Sequence, residues 1–218
     1  MAKRIILLHA YLHSMPPLVS AFRNLWPDAD VLNLLDEALY ADVAPDGTMH
    51  PTIPARVETL LMHCAASRAD AVVFTGSTFG PAVETARKNL AIPVLKADEA
   101  MAGEAAERGG IALLVCTAGR AVPVIAGNIE AAARAAGKSI RVEKLVVADA
   151  KAAISAGRMA EHDELVAGAI TAAPPADSIV LGQVSMANVV PLLSPSLRAK
   201  TLTSAEATVR RLRTLLAK

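Results

Sequence analysis

Aromatic side chains are scarce: the 218 residues include one Trp, two Tyr and three Phe. The core must therefore be aliphatic, and little material is left for stacking on bases or sugars. Charge of one sign is not in excess either. With 22 basic and 21 acidic residues, a formal net charge of +1 and no Lys/Arg block, there is no electrostatic footprint for nucleic acid or an anionic membrane. No apolar run approaches the ~20 residues a membrane helix needs. Met1-Ala-Lys-Arg runs directly into a short apolar segment with no cleavage site behind it, so no secretory signal and a cytoplasmic location are expected. Two cysteines, Cys64 and Cys116, are too few for a disulfide framework and lack metal-ligand spacing. His9 and His13 sit four apart in a loop rather than on a helix and have no third ligand, so no metal is expected. These exclusions leave a small molecule as the expected partner and leave homo-oligomerisation open.

What is present is an alternation. Short β-type runs fall at 4–9, 29–35, 69–75, 92–97, 110–117, 140–147, 177–182 and 200–204. Ala-rich stretches with helical spacing lie between them, among them 56–67, 81–90, 123–136 and 205–218. Such a pattern predicts parallel strands joined by crossover helices, an α/β fold. Only residues 41–54, rich in Pro, Gly and Asp, read as a long surface excursion.

The chain also repeats itself. An offset of 107 takes Asp70 to Asp177 and lays AVVFTGSTFG (71–80) on SIVLGQVSMA (178–187) without a gap. The same offset takes Pro16 to Pro123, Leu7-Leu8-His9 to Leu114-Val115-Cys116, and Glu99-Ala100 to Glu206-Ala207. One register kept through several elements predicts two pseudo-symmetric Rossmann-like lobes with parallel sheets and a shared cleft. Residues 1–98 plus 196–218 are expected to form the first lobe, with the last helix packing back on it, and 99–195 the second. The repeat pairs Gly76 with Gln183, Thr78 with Ser185 and His9 with Cys116.

The segments VLNLLDEAL (31–39), FTGSTFGPAVE (74–84), IPVLKADEAM (92–101), the turn from Thr117 to Val124 and VLGQVSMANV (180–189) resemble the aspartate/glutamate/hydantoin racemase superfamily, which includes arylmalonate decarboxylase and maleate isomerase. In the two-thiol racemases of that superfamily each paired loop carries a cysteine, one removing the α-proton and the other returning a proton to the opposite face. Gly76 and Gln183 stand at the matching positions, and neither side chain exchanges a proton near neutral pH. The resemblance therefore implies a racemase-like, cofactor-independent isomerase or lyase acting on a small carboxylate (an amino, hydroxy or malonate-type acid) by something other than the two-cysteine route. The alternative is a non-catalytic carboxylate-binding protein that kept the cleft and lost its acid and base.

Each candidate residue has two readings. Ser77, Thr78 and Ser185 precede expected helix starts, where hydroxyls and free N–H groups would hold a carboxylate, or they are simply N-caps. Gly76 lines the site or is a turn glycine. His9, with an ordinary pKa of ~6.5, is a general acid or base, or a hydrogen-bonded structural histidine. Cys116 is a displaced nucleophile or acid, or a packed thiol, and Cys64 is read as core. Gln183 hydrogen-bonds a substrate oxygen or amide, Thr117 lies at the substrate by resemblance, and Asp36 reaches it or is a solvated loop carboxylate.

Overall fold

The computed structural model describes residues 2–44 and 46–217. The chain forms two compact units, one running to Ala97 and resuming at Thr208, the other Asp98–Ala207. In the first, β1 (Arg4–His9), α1 (Met15–Leu25), β2 (Asp30–Leu35), the short α2 (Ala38–Ala41), α3 (Ile53–Ala66), β3 (Ala71–Thr75), α4 (Gly80–Ala86) and β4 (Val94–Lys96) follow in order. Their strands make a parallel sheet in the order β2-β1-β3-β4. The central strands are apolar runs because helices cover both faces of a parallel sheet. Ile6, Leu8, Val72 and Phe74 pack with Val57 and Leu61 of α3 and Val83 of α4.

The second unit contains α5 (Glu99–Arg108), β5 (Gly110–Cys116), α6 (Val122–Ala135), β6 (Ile140–Val146), α7 (Ala148–Ser155), α8 (Met159–Ala172), β7 (Ser178–Leu181), α9 (Pro195–Lys200), β8 (Thr201–Thr203) and the start of α10 (Ser204–Leu216). Its sheet order is β6-β5-β7-β8, again parallel. Leu114, Cys116 and Val180 pack on Met101 of α5 and on Ile125 and Ile129 of α6. Leu113, Val115, Ile179 and Leu181 pack on Val166 and Ile170 of α8. Edge strand β6 carries Arg141, Glu143 and Lys144, charges that protect an open edge from pairing.

The repeat is present in the hydrogen bonding. Leu7 pairs with Val73 in the first sheet and Leu114 with Val180 in the second, both displaced by the same 107 residues. An Asp carboxylate oxygen accepts the backbone N–H at the start of each central strand: Asp70 from Arg4 at 2.7 Å and Asp177 from Ile111 at 2.7 Å.

Two expectations need correction. Residues 196–207 belong to the second unit, because β8 pairs with β7 (Ile179 with Thr201, Leu181 with Thr203). Only the part of α10 from Thr208 belongs to the first unit, where the Thr208 hydroxyl donates to the Ala97 carbonyl and Arg213 to the Leu25 carbonyl. Nor does an α-helix follow Ser185, as its position before an apolar run leads one to expect. Val184–Leu192 is a 3₁₀ stretch, with Pro191 inside it. Among the described residues no helix is long and apolar enough to cross a membrane.

Candidate functional site

Parallel strands deliver all their carboxyl ends to one edge of a sheet, where ligands of α/β proteins are held. In the first unit His9 ends β1 and is in register with Leu35 of β2 and Thr75 of β3. That register gathers His9, Asp36 and the loop Gly76-Ser77-Thr78. His9 is fully buried. Its Nε2 lies 3.1 Å from Asn33 Oδ1, its Nδ1 3.0 Å from Ser14 Oγ and 3.2 Å from Thr75 Oγ1. With Nε2 donating to Asn33, Nδ1 must accept. The Ser14 hydroxyl spends its proton on the Tyr11 carbonyl at 2.6 Å, which leaves the single Thr75 proton shared between Nδ1 at 3.2 Å and Ser14 Oγ at 2.9 Å. Burial holds the His9 pKa below its ordinary 6.5, and the Asn33 bond offsets this only in part. The ring is neutral at pH 7, with both nitrogens within hydrogen-bond distance of side chains.

Asp36 donates its backbone N–H to the His9 carbonyl, 2.8 Å away, while its carboxylate takes two bonds from Arg56, Nε to Oδ2 at 2.9 Å and Nη2 to Oδ1 at 2.6 Å. Arg56 also reaches Asp42. Such a fork fixes both Asp36 oxygens on the protein itself. Gly76 has φ +134°, and a Cβ there would sit 3.0 Å from Phe79 Cδ2 and 3.4 Å from Ala10 Cβ. Any side chain at this turn would be strained and crowded. Ser77 and Thr78 lie in a single 3₁₀ turn, Ser77–Phe79, ahead of the seven-residue α4, and make no capping bond to it. They are therefore not N-caps, and so short a helix has little dipole to offer. Both are partly exposed, and Thr78 Oγ1 lies 3.5 Å from the Tyr40 hydroxyl.

In the second unit Cys116 ends β5, Thr117 follows it, and Gln183 and Ser185 follow β7. Gln183 Oε1 accepts the Thr117 backbone N–H at 3.1 Å. That bond fixes which end of the amide is oxygen. Gln183 Nε2 is buried and has no hydrogen-bond partner among the described residues. Ser185 is buried within the 3₁₀ stretch. Cys116 packs in the core beside Gly182, where a Cβ would lie 2.5 Å from Cys116 Sγ.

Burial pushes the Cys116 thiol up to about 12 and the Cys64 thiol up to about 11. Neither forms a useful amount of thiolate at neutral pH. A thiol reagent at pH 8 should label no cysteine in the native protein and both after unfolding; rapid native labelling of Cys116 would restore it as a nucleophile. Because the unfolded thiols ionise near 9 and the folded ones do not, this contribution to stability is complete below pH ~9 and is lost between ~9 and ~12.

Sequence reasoning did not pick out Ser14 and Asn33 around His9, Arg56 on Asp36, or Tyr40 near Thr78. One of these had a visible signal: Asn33 interrupts the apolar run of β2.

The profile of the Asp/Glu/Hydantoin racemase family matches residues 26–212. The chain belongs to that family. Among solved structures it is similar to allantoin racemase from Klebsiella pneumoniae (18% identity, covering 99% of this chain and 88% of that one, TM-score 0.71). It is similar also to aspartate racemase from Picrophilus torridus (10% identity, 100% and 95%, TM-score 0.70). Glutamate racemase from Thermus thermophilus, in complex with β-chloro-D-alanine, gives 16% identity, 99% and 80%, and a TM-score of 0.67. Comparison with curated proteins gives no match.

Proposed function

We propose that this protein is a racemase-like isomerase or lyase that acts on a small carboxylate without a two-cysteine mechanism. Family membership supports an isomerase-like function on small carboxylates. The observation that carries the finer reading is the Gln183 amide: its oxygen is held by Thr117 N–H, and its buried Nε2–H₂ has no partner among the described residues. A buried unmatched donor is costly in the free protein and becomes favourable when a ligand oxygen accepts from it. Within the first unit, the partly exposed Ser77 and Thr78 offer hydroxyl and backbone N–H donors of their own. Gly76, at φ +134°, is where the resemblance puts the first thiol, and Gln183 where it puts the second.

Inversion demands an acid and a base on opposite faces of the α-carbon. Decarboxylation asks for less. The bond to the leaving carboxylate breaks, its electron pair passes into the remaining carboxyl group as an enediolate, hydrogen-bond donors stabilise that charge, and one proton returns from water. Donors without titrating groups beside them suit the lyase branch of the reading. A second reading, binding without turnover, is favoured by one observation: the two titratable catalytic candidates, His9 and Cys116, are both fully buried, one with both nitrogens against side chains and the other held as a thiol.

Proton NMR of amino, hydroxy and malonate-type acids incubated with the protein in D₂O separates the two. Deuterium at an α-carbon or loss of CO₂ is expected; line broadening without turnover would establish the binder. No effect on any of these acids would remove both readings.

A further inference from the structure

Strand β2 lies at one edge of the first sheet and is paired on one side only, with β1. The Asp30 N–H donates to the Lys3 carbonyl at 2.9 Å and the Asp36 N–H to the His9 carbonyl at 2.8 Å. In a parallel ladder alternate residues face the partner strand, so Asp30, Leu32, Leu34 and Asp36 turn inward. Val31, Asn33 and Leu35 then turn their N–H and C=O groups outward, where no other described strand pairs with them. An open edge is a template for pairing unless charges, proline or a bulge blunt it. The β6 edge of the second sheet has that protection in Arg141, Glu143 and Lys144. β2 lacks it. Its register with β1 is unbroken from Asp30 to Leu35, Val31 to Leu35 are all uncharged, and Leu32 is 42% exposed.

The sequence of this edge is also symmetric by chemical class. Asp30-Val31-Leu32-Asn33-Leu34-Leu35-Asp36 reads acid, aliphatic, aliphatic, amide, aliphatic, aliphatic, acid in either direction. A two-fold interface lays a surface on a copy of itself, so that residue i meets j and j meets i. Antiparallel pairing of two β2 strands about Asn33 sets Val31 against Leu35, Leu32 against Leu34 and Asn33 against itself, aliphatic on aliphatic throughout. The three outward positions form three pairs of two hydrogen bonds each. A shift of two residues would set Asp30 against Leu34 and lose the match. The ends agree in charge: Asp30 of one copy meets Asp36 of the other, and each brings its own guanidinium, Arg4 at 2.9 Å from Asp30 and Arg56 at 2.6 Å from Asp36. An Arg-Asp pair against an Asp-Arg pair carries no net charge.

We propose that the β2 edge is a dimer interface whose occupant is β2 of a second copy of this chain. The two four-stranded sheets then join antiparallel at their edges, and the backbone of Asn33, whose Oδ1 lies 3.1 Å from His9 Nε2, is held at the centre. Sedimentation velocity of the whole protein over a roughly hundredfold range of concentration should show a monomer–dimer equilibrium. Leu32→Lys places a charge on the edge and should weaken association at least tenfold. Val31→Pro should do the same, because it removes an outward N–H and leaves the inward ladder to β1 complete. Asn33→Cys tests the register. Opposed residues of a hydrogen-bonded antiparallel pair stand ~5.5 Å apart at Cα, within the span of a disulfide, so mild oxidation should give a covalent dimer. In Val31→Cys the two cysteines lie four residues apart along the strands, ~14 Å, and should not crosslink. Cys64 and Cys116 are buried and do not compete. A chain that is monomeric at every concentration, a dimer that folded Leu32→Lys and Val31→Pro leave as tight as before, or crosslinking of Val31→Cys as readily as Asn33→Cys would each overturn the proposal. If an edge variant fails to fold, the comparison of the two cysteine variants decides in its place.

Discussion

Replacing Gly182 by alanine should lower stability by about 3 kcal/mol, a large loss for one added methyl group. The new Cβ would lie 2.5 Å from Cys116 Sγ, 3.1 Å from the Val115 carbonyl oxygen and 3.2 Å from Ile125 Cδ1. Two of these are parts of a packed strand pair, since the Gly182 N–H donates to that same carbonyl at 2.8 Å, so relief requires β7 to move away from β5. The thiol is the more yielding neighbour. Cys116→Ala in the Gly182→Ala background should therefore recover part of the loss, and a double-mutant cycle should give a coupling of about 1 kcal/mol or more between the two positions. Denaturant midpoints at unchanged m-value measure both quantities. A Gly182→Ala protein within ~0.5 kcal/mol of the parent would mean that the two strand ends are not packed as described. Because Gly182 leads directly into Gln183, the same shift should loosen the Gln183 bond to Thr117, so carboxylate affinity should fall together with stability.

The strands were legible because both faces of a parallel sheet are covered, which leaves a nearly continuous apolar signature. β1 and β8 show how the repeat helped and how it was underused. The offset that takes Leu7 to Leu114 also takes β4, Val94–Lys96, to β8, Thr201–Thr203, and so already placed β8 in the second sheet. Closing the second lobe at 195 ignored that equivalence. The offset fails at β2 and β6. His9 O accepts from Asp36 N and Cys116 O from Val147 N, a separation of 111 rather than 107, which marks a length change in the second repeat between β5 and β6.

The site was legible by position and not by role. Gln183 and Gly76 could be placed because each lies within two residues of the end of a buried strand. The neutral state of His9 could not be read, because Ser14, Asn33 and Thr75 meet it from three separate segments. Asp36 read as a free carboxylate because Arg56, 20 residues on, approaches only once α3 has folded back. The helix starts expected at Ser77 and Ser185 came from the polar residue ahead of an apolar run, a pattern that 3₁₀ turns also satisfy.

Substitutions at Gln183 should have the largest effect on ligand binding while leaving the fold nearly intact, and they separate the two ends of its amide. Gln183→Met keeps the length and loses both functions. Thr117 N–H is then left without its acceptor, and the ligand without its donor. A hydrogen bond to a charged group contributes ~1.5–3 kcal/mol, so affinity for the carboxylate found by the D₂O screen should fall roughly tenfold to a hundredfold by calorimetry. Gln183→Glu is the sharper test. One carboxylate oxygen can still accept from Thr117, so the loop should hold its shape, but the other oxygen replaces the Nε2 donor with negative charge. At pH 7 two anions would face each other, and binding should be lost at least as completely as in Gln183→Met. The facing ligand also raises the pKa of the new Glu above its ordinary ~4.3. As pH falls through that raised value the Glu gains a proton and becomes a donor. Its affinity should then recover, over a window in which the parent protein stays flat until the ligand itself protonates. If folded Gln183→Met binds the carboxylate as tightly as the parent does, or if Gln183→Glu shows no recovery toward acid pH, the Nε2 donor does not face the ligand and the reading of this loop is wrong.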